Sequence, residues 1–202
     1  MKNVAIIDSG FQGATYARSF GTRTPSTRDT LGHGSAISSL ICRPEIAIIN
    51  AKVFDQTLTT TPQILYEALR YVASFDVAIV HMSLGLTVDD PDVRTITQSL
   101  LARGVAIVAS TPVRSPYRVY PAAYEGVTRV CADGRCHGDM ISLIDPDRPL
   151  FGASGTIGHP TIGGSSIACA RVSRFFVHRL LEGVPSHELS IDLLNRLTKG
   201  ES

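Results

Sequence analysis

Residues 76–81 read DVAIVH: an acidic residue, four apolar positions rich in β-branched side chains, and a polar residue to close. A run this short is too brief for a helix and suits a strand buried on both faces of a parallel sheet. The same form recurs at residues 3–7 (NVAII, followed by Asp8), 45–50 (EIAIIN) and 104–109 (GVAIVA). Helical stretches separate the runs. Thr61-Pro62 places a proline in a first turn, and Ile64, Leu65, Ala68, Leu69 and Val72 then fall on one face. Residues 89–103 begin with three aspartates and end in Arg103-Gly104, matching the helix dipole and a glycine stop. The alternation predicts an α/β fold of three layers, a mostly parallel sheet with helices on both faces.

Residues 110–160 are less regular. Prolines at 112, 116, 121, 146, 149 and 160 divide them into turns and short strands, with strands expected at 127–131 and 140–144. A long helix over 166–181 and a shorter one over 186–197 close the chain. With no internal repeat or linker, residues 1–202 are expected to form one domain, large enough to remove about 70% of its unfolded surface from water.

Lys plus Arg is 19 and Asp plus Glu is 18, a net charge of +1, with no basic run, so no nucleic-acid partner is expected. No window reaches the 18 or more apolar residues of a membrane span, so no membrane partner is expected either. The N-terminus MKNVAIIDSG has neither the apolar core nor the cleavage site of a signal peptide. The four cysteines (Cys42, Cys131, Cys136, Cys169) form no C-x-x-C pair and read as buried free thiols. The compartment inferred is the cytoplasm.

Three patches carry chemistry. Asp8 ends the first strand, where a parallel sheet gathers its ligands. Leu31-Gly32-His33-Gly34-Ser35 leads into an apolar helix over 36–41, with glycines leaving the imidazole uncrowded. Gly163-Gly164-Ser165-Ser166 opens the long helix, placing Ser166 beside unpaired N–H groups and the positive end of the dipole, while Ser165 suits an N-cap. Each alone has a bland structural reading. Together they supply an acid, a base and a nucleophile in the order Asp, His, Ser.

Here the chain resembles the subtilisin family of serine peptidases. Asp8-Ser9-Gly10 resembles the family's Asp-Ser-Gly motif, and Gly32-His33-Gly34-Ser35 its His-Gly-Thr motif with serine for threonine. Gly164-Ser165-Ser166-Ile167-Ala168 is similar to Gly-Thr-Ser-Met-Ala around the nucleophile. Met82-Ser83-Leu84-Gly85 is similar to the family's substrate-binding strand, and Tyr120-Pro121-Ala122-Ala123-Tyr124 to its Tyr-Pro-Ala-Ala segment. The resemblance implies a subtilisin-like fold and a serine endopeptidase with Asp8, His33 and Ser166 as catalytic triad. Ser83, Leu84 and Gly85 would bind an extended peptide or precursor protein as an added strand. Within the family, small cytoplasmic members serve as maturases that remove leader peptides, and the chain is similar to that type.

Four departures matter. The family supplies an asparagine to its oxyanion hole after the strand matching 104–109, whereas this chain has only Asn3, Asn50 and Asn195. Thr111 is the expected substitute, ahead of Ser110 and Arg114, with the N–H of Ser166 as the other donor. Both intervals, Asp8 to His33 and His33 to Ser166, are short for the family, so trimmed loops are expected. No residues before position 4 leave room for an inhibitory pro-segment, and no acidic loop replaces the family's calcium sites, so neither a metal nor a cofactor is expected. Two rival readings stand: a catalytically weak or inactive peptide-binding module, and an ester or thioester hydrolase, transferase or ligase of the same chemistry. His81 and Cys169 read as structural, and His137, His159, His178 and His187 lack metal-ligand spacing.

Overall fold

The structure, a computed structural model, describes residues 2–21, 26–159 and 161–200. Its centre is an eight-stranded sheet in the order β2-β3-β1-β4-β5-β6-β8-β7. The strands are β1 (Lys2–Asp8), β2 (Tyr16–Ser19), β3 (Ile46–Lys52), β4 (Val77–Met82), β5 (Ala106–Ser110), β6 (Thr128–Ala132), β7 (Ile141–Asp145) and β8 (Leu150–Ala153). All neighbours pair in parallel except β7 and β8, which form an antiparallel hairpin at one edge. The fold is the α/β arrangement that the sequence alternation predicts.

Side chains alternate across the strands, so the sheet carries two cores. Val4, Ile6, Ile48, Ile79 and Val108 pack under α1 (His33–Ile41) and α4 (Ser165–Leu181). Ala5, Ile7, Ile49, Val80 and Ile107 pack under α2 (Pro62–Ala73) and α3 (Pro91–Ala102) on the other face. Both α2 and α3 start as their sequences dictate, with proline at the first helical position behind a capping side chain. Thr61 accepts from the N–H of Ile64, and Asp90 from those of Asp92 and Val93. The last segment is a short 3-10 turn at Ser186–Glu188 followed by α5 (Leu189–Thr198), where the sequence suggests one helix.

Two strands escape sequence reading. In β2, YARS, every residue is exposed or half-buried, so no apolar run marks it. In β8 the four residues follow a proline-rich turn, and β8 pairs with both β6 and β7. Register decides both.

Crossing from β3 on one side of β1 to β4 on the other creates a switch point beside β1, and there the crevice outside the carboxyl ends opens. No helix among the described residues is long and apolar enough to cross a membrane. Replacing fully buried Leu69 with alanine is expected to cost about 2–5 kcal/mol, against about 1 kcal/mol for the half-buried cap change Asp90→Ala, by chemical denaturation.

Candidate active site

The fully buried Asp8 stands at the end of β1. Its Oδ1 accepts from the Ser9 N–H at 2.7 Å and meets Nδ1 of His33 at 2.7 Å. A carboxylate only accepts, so the neutral ring carries its proton on Nδ1 and keeps Nε2 as a base. His33 is the first residue of α1, behind Gly32 at φ 75°. The two segments touch through backbone. A Cβ on Gly34 would lie 2.2 Å from the carbonyl oxygen of Gly10, so no side chain fits there.

Asp29, which the sequence reading overlooks, ties these segments together. Its Oδ1 accepts from Ser9 Oγ at 2.8 Å and from the N–H groups of Leu31 (3.0 Å) and Gly32 (2.9 Å). Its Oδ2 accepts from the N–H and hydroxyl of Ser35 at 2.8 and 2.7 Å. Ser9 Oγ in turn accepts from the Gly34 N–H at 2.8 Å. Gly32 gives α1 no side-chain cap, and Asp29 satisfies its first-turn donors instead. The available signal was a carboxylate four residues before His33 at a helix start. Lys52, also buried, lies opposite Asp8 in register and holds the same loop by donating to the Arg28 carbonyl at 2.7 Å.

Ser166 is the second residue of α4. Gly164 occupies the N-cap position with φ 75°, and Ser165, expected as the cap, instead accepts from the Ala132 N–H at 3.3 Å. The strained turn is what only glycine tolerates, which is why the cap shifts one residue back. The first internal bond of α4 runs from the Ala168 N–H to the Gly164 carbonyl, so the Ser166 N–H precedes the helical ladder.

His33 and Ser166 line one cavity of about 500 Å³, together with Ser83, Leu84, Gly85, Ser110 and Thr111. Among the described residues no hydrogen bond joins His33 to Ser166 Oγ. Beyond Gly85 the chain pairs with Tyr120 through two hydrogen bonds between Leu86 and Tyr120. The Thr111 N–H is committed to the Val130 carbonyl at 2.8 Å, so only its hydroxyl remains as a donor toward the cavity.

His81 is fully buried and acts from behind. Ser83 Oγ donates to the Ser166 carbonyl at 3.1 Å, so it accepts from His81 Nε2–H at 2.7 Å. Ser173 Oγ, 2.8 Å from Nδ1, is then the donor on the far side. The ring is thereby fixed in one neutral tautomer, and burial, with the nearby charge of His33, pushes its pKa down to about 3. Cys169 is fully buried against the same ring, and all four cysteines are free. No group of three or more His, Cys, Asp or Glu among the described residues is placed to hold a metal ion.

Burial by itself would lower the His33 pKa. The hydrogen bond to Asp8 and the charges of Asp8 and Asp29 outweigh it and raise the ring above its ordinary 6.5.

No family model matches the chain. It is 28% identical over 179 residues to the minor extracellular protease Epr of Bacillus subtilis strain 168, a match covering 76% of this chain and 26% of that protein. The chain therefore spans about a quarter of the length of that curated relative. A crystal structure of a cold adapted subtilisin-like serine proteinase superposes with a TM-score of 0.74 at 17% identity, covering 96% of this chain and 81% of the other. The fold is that of the subtilisins. The likeness to subtilisin-like proteases therefore extends from the shared fold to a sequence similarity over 179 residues.

A titration of the His33 ring by NMR is expected to show a midpoint above 6.5, and Asp29→Asn, which deletes one neighbouring negative charge, is expected to lower it. An unchanged midpoint in Asp29→Asn would remove Asp29 from the electrostatics of the site.

Proposed function

We propose that the protein is a serine endopeptidase that cleaves a peptide or unfolded segment with Asp8, His33 and Ser166. One observation carries the reading: His33, bonded to the buried Asp8 at 2.7 Å, and Ser166 line one cavity with residues 83–85. In the proposed reaction Ser166 Oγ attacks the scissile carbonyl and His33 Nε2 takes its proton, later passing it to the leaving amine. Asp8 keeps the tautomer and stabilises the imidazolium. The developing oxyanion is held by the Ser166 N–H and the Thr111 hydroxyl. The backbone of residues 83–85 aligns the substrate as an added strand.

The biological role proposed is removal of a leader peptide in the cytoplasm. Family members of that kind include the peptidase that processes the small cross-linked subunit of quinohemoprotein amine dehydrogenase. Incubation with leader-bearing precursors is expected to give cleavage at one defined bond, and finding none cut would end the maturase role.

The absence of a hydrogen bond between His33 and Ser166 among the described residues favours a second reading, a peptide-binding module without turnover. A fluorophosphonate separates the two, because a working triad labels Ser166 and an idle one does not. Ser166→Ala is expected to abolish labelling and reduce peptide cleavage by about 10⁶. Thr111→Val is expected to lower kcat by about 10²–10³ with little change in KM, the mark of a donor used only in the transition state. The His33 base must be neutral to act, so kcat/KM is expected to rise with pH through a midpoint above 6.5.

A further inference from the structure

A second cavity, of about 270 Å³, lies against residues 111–119 and shares Thr111, Pro112 and Val119 with the cavity that holds Ser166. Arg118, Arg129 and Arg148 line it, and no aspartate or glutamate does. Arg129 is half-buried, with its guanidinium anchored on backbone: Nε donates to the Pro149 carbonyl at 3.4 Å and Nη2 to that of Arg148. Burial and the neighbouring charge of Arg148 both press the Arg129 pKa down, against the pull of Asp145. The arginine is held by dipoles beside a like charge.

Two nearby carboxylates are engaged elsewhere, and Glu125 and Asp147 lie on the adjoining cavity that Arg129 and Arg148 also line. Asp89, within electrostatic reach of Arg118, is bonded twice to Arg94. Asp145 Oδ1 accepts the N–H groups of Asp147 and Arg148 in its own turn. Neither lines the cavity. Several arginines elsewhere are matched: Arg171 and Arg174 meet Asp139, and Arg179 meets Asp192 and Glu182. The cavity of 111–119 is where positive charge converges without an internal counter-ion on its wall. Its volume is ample for one carboxylate side chain, and guanidinium groups match a carboxylate in geometry as well as charge.

We propose that this cavity is a subsite for an acidic side chain of the peptide substrate, so that the protein selects substrates with a glutamate or aspartate close to the cleaved bond. The subsite deepens the peptidase reading and rests on it for its substrate. An extended chain lying over Ser166 and residues 83–85 passes the shared wall of Thr111, Pro112 and Val119, which brings a neighbouring side chain to the arginines.

The test uses peptides blocked at both ends, so that the single carboxylate is a side chain, with glutamate or glutamine stepped through the positions around the cleaved bond. At one position glutamate is expected to raise kcat/KM over glutamine by about ten- to a hundredfold, mainly through KM, with the advantage shrinking at high salt. The double variant Arg118→Gln/Arg148→Gln, whose native side chains make no hydrogen bond among the described residues, is expected to bring the two peptides within about twofold of each other. Equal rates for glutamate and glutamine at every position, or a preference that survives in the double variant, would overturn the subsite. Binding of the same peptides to Ser166→Ala, followed by fluorescence anisotropy, separates the two proposals. Glutamate-dependent affinity without cleavage by the native chain supports the subsite and defeats the peptidase, whereas cleavage with no glutamate preference in either assay does the reverse.

Discussion

A single carboxylate organises the mouth of the crevice. Five donors converge on Asp29 from Ser9, Leu31, Gly32 and Ser35, joining the turn after β1 to the start of α1. Hydrogen bonds to a charged group contribute roughly 1.5–3 kcal/mol each, enough in combination to fix two loops that share little apolar area. The direct contact of Gly34 with the Gly10 backbone follows from that convergence, since the segments are drawn closer than any Cβ allows. The Asp8–His33 bond follows in turn. Move the loop, and the imidazole leaves its partner.

Behind the crevice the sheet keeps an unusual number of polar groups buried on one face. Asp8, Asn50, Lys52 and His81 all lie on the side covered by α1 and α4, where most of the remaining strand positions are apolar. Burying such groups is costly unless each is bonded or neutral. His81 meets the condition by staying neutral between two serine hydroxyls, and Lys52 by a carbonyl partner. The chain of bonds from Ser173 through His81 and Ser83 to the Ser166 carbonyl makes the first turn of α4 and the end of β4 one rigid unit. A titrating group there would break it, which is why a depressed histidine pKa suits the position.

The segment that follows β5 carries no asparagine, and its first residue, Thr111, has one donor uncommitted. The Thr111 amide is spent on β6, leaving its hydroxyl. Thr111, Pro112 and Val119 form a wall shared by the cavity of His33 and Ser166 and the arginine-lined one. One short segment thus lines both cavities.

The sequence by itself determined the sheet's character, because continuous β-branched runs separated by capped amphipathic segments have few other ways to bury both faces. It also determined the identity of Asp8, His33 and Ser166 as candidates, since motif order survives in the linear chain. Tertiary structure alone decided β2 and β8, whose few residues carry no pattern and become strands only because β3 and β6 offer free edges. It alone moved the N-cap of α4 from Ser165 to Gly164, where the turn takes a positive φ, and left Ser165 Oγ to accept from the Ala132 amide at the end of β6. Asp29 and His81 gained their roles the same way, from partners far off in sequence. Local pattern records what a residue can bond, and only packing settles which donors and charges come within reach.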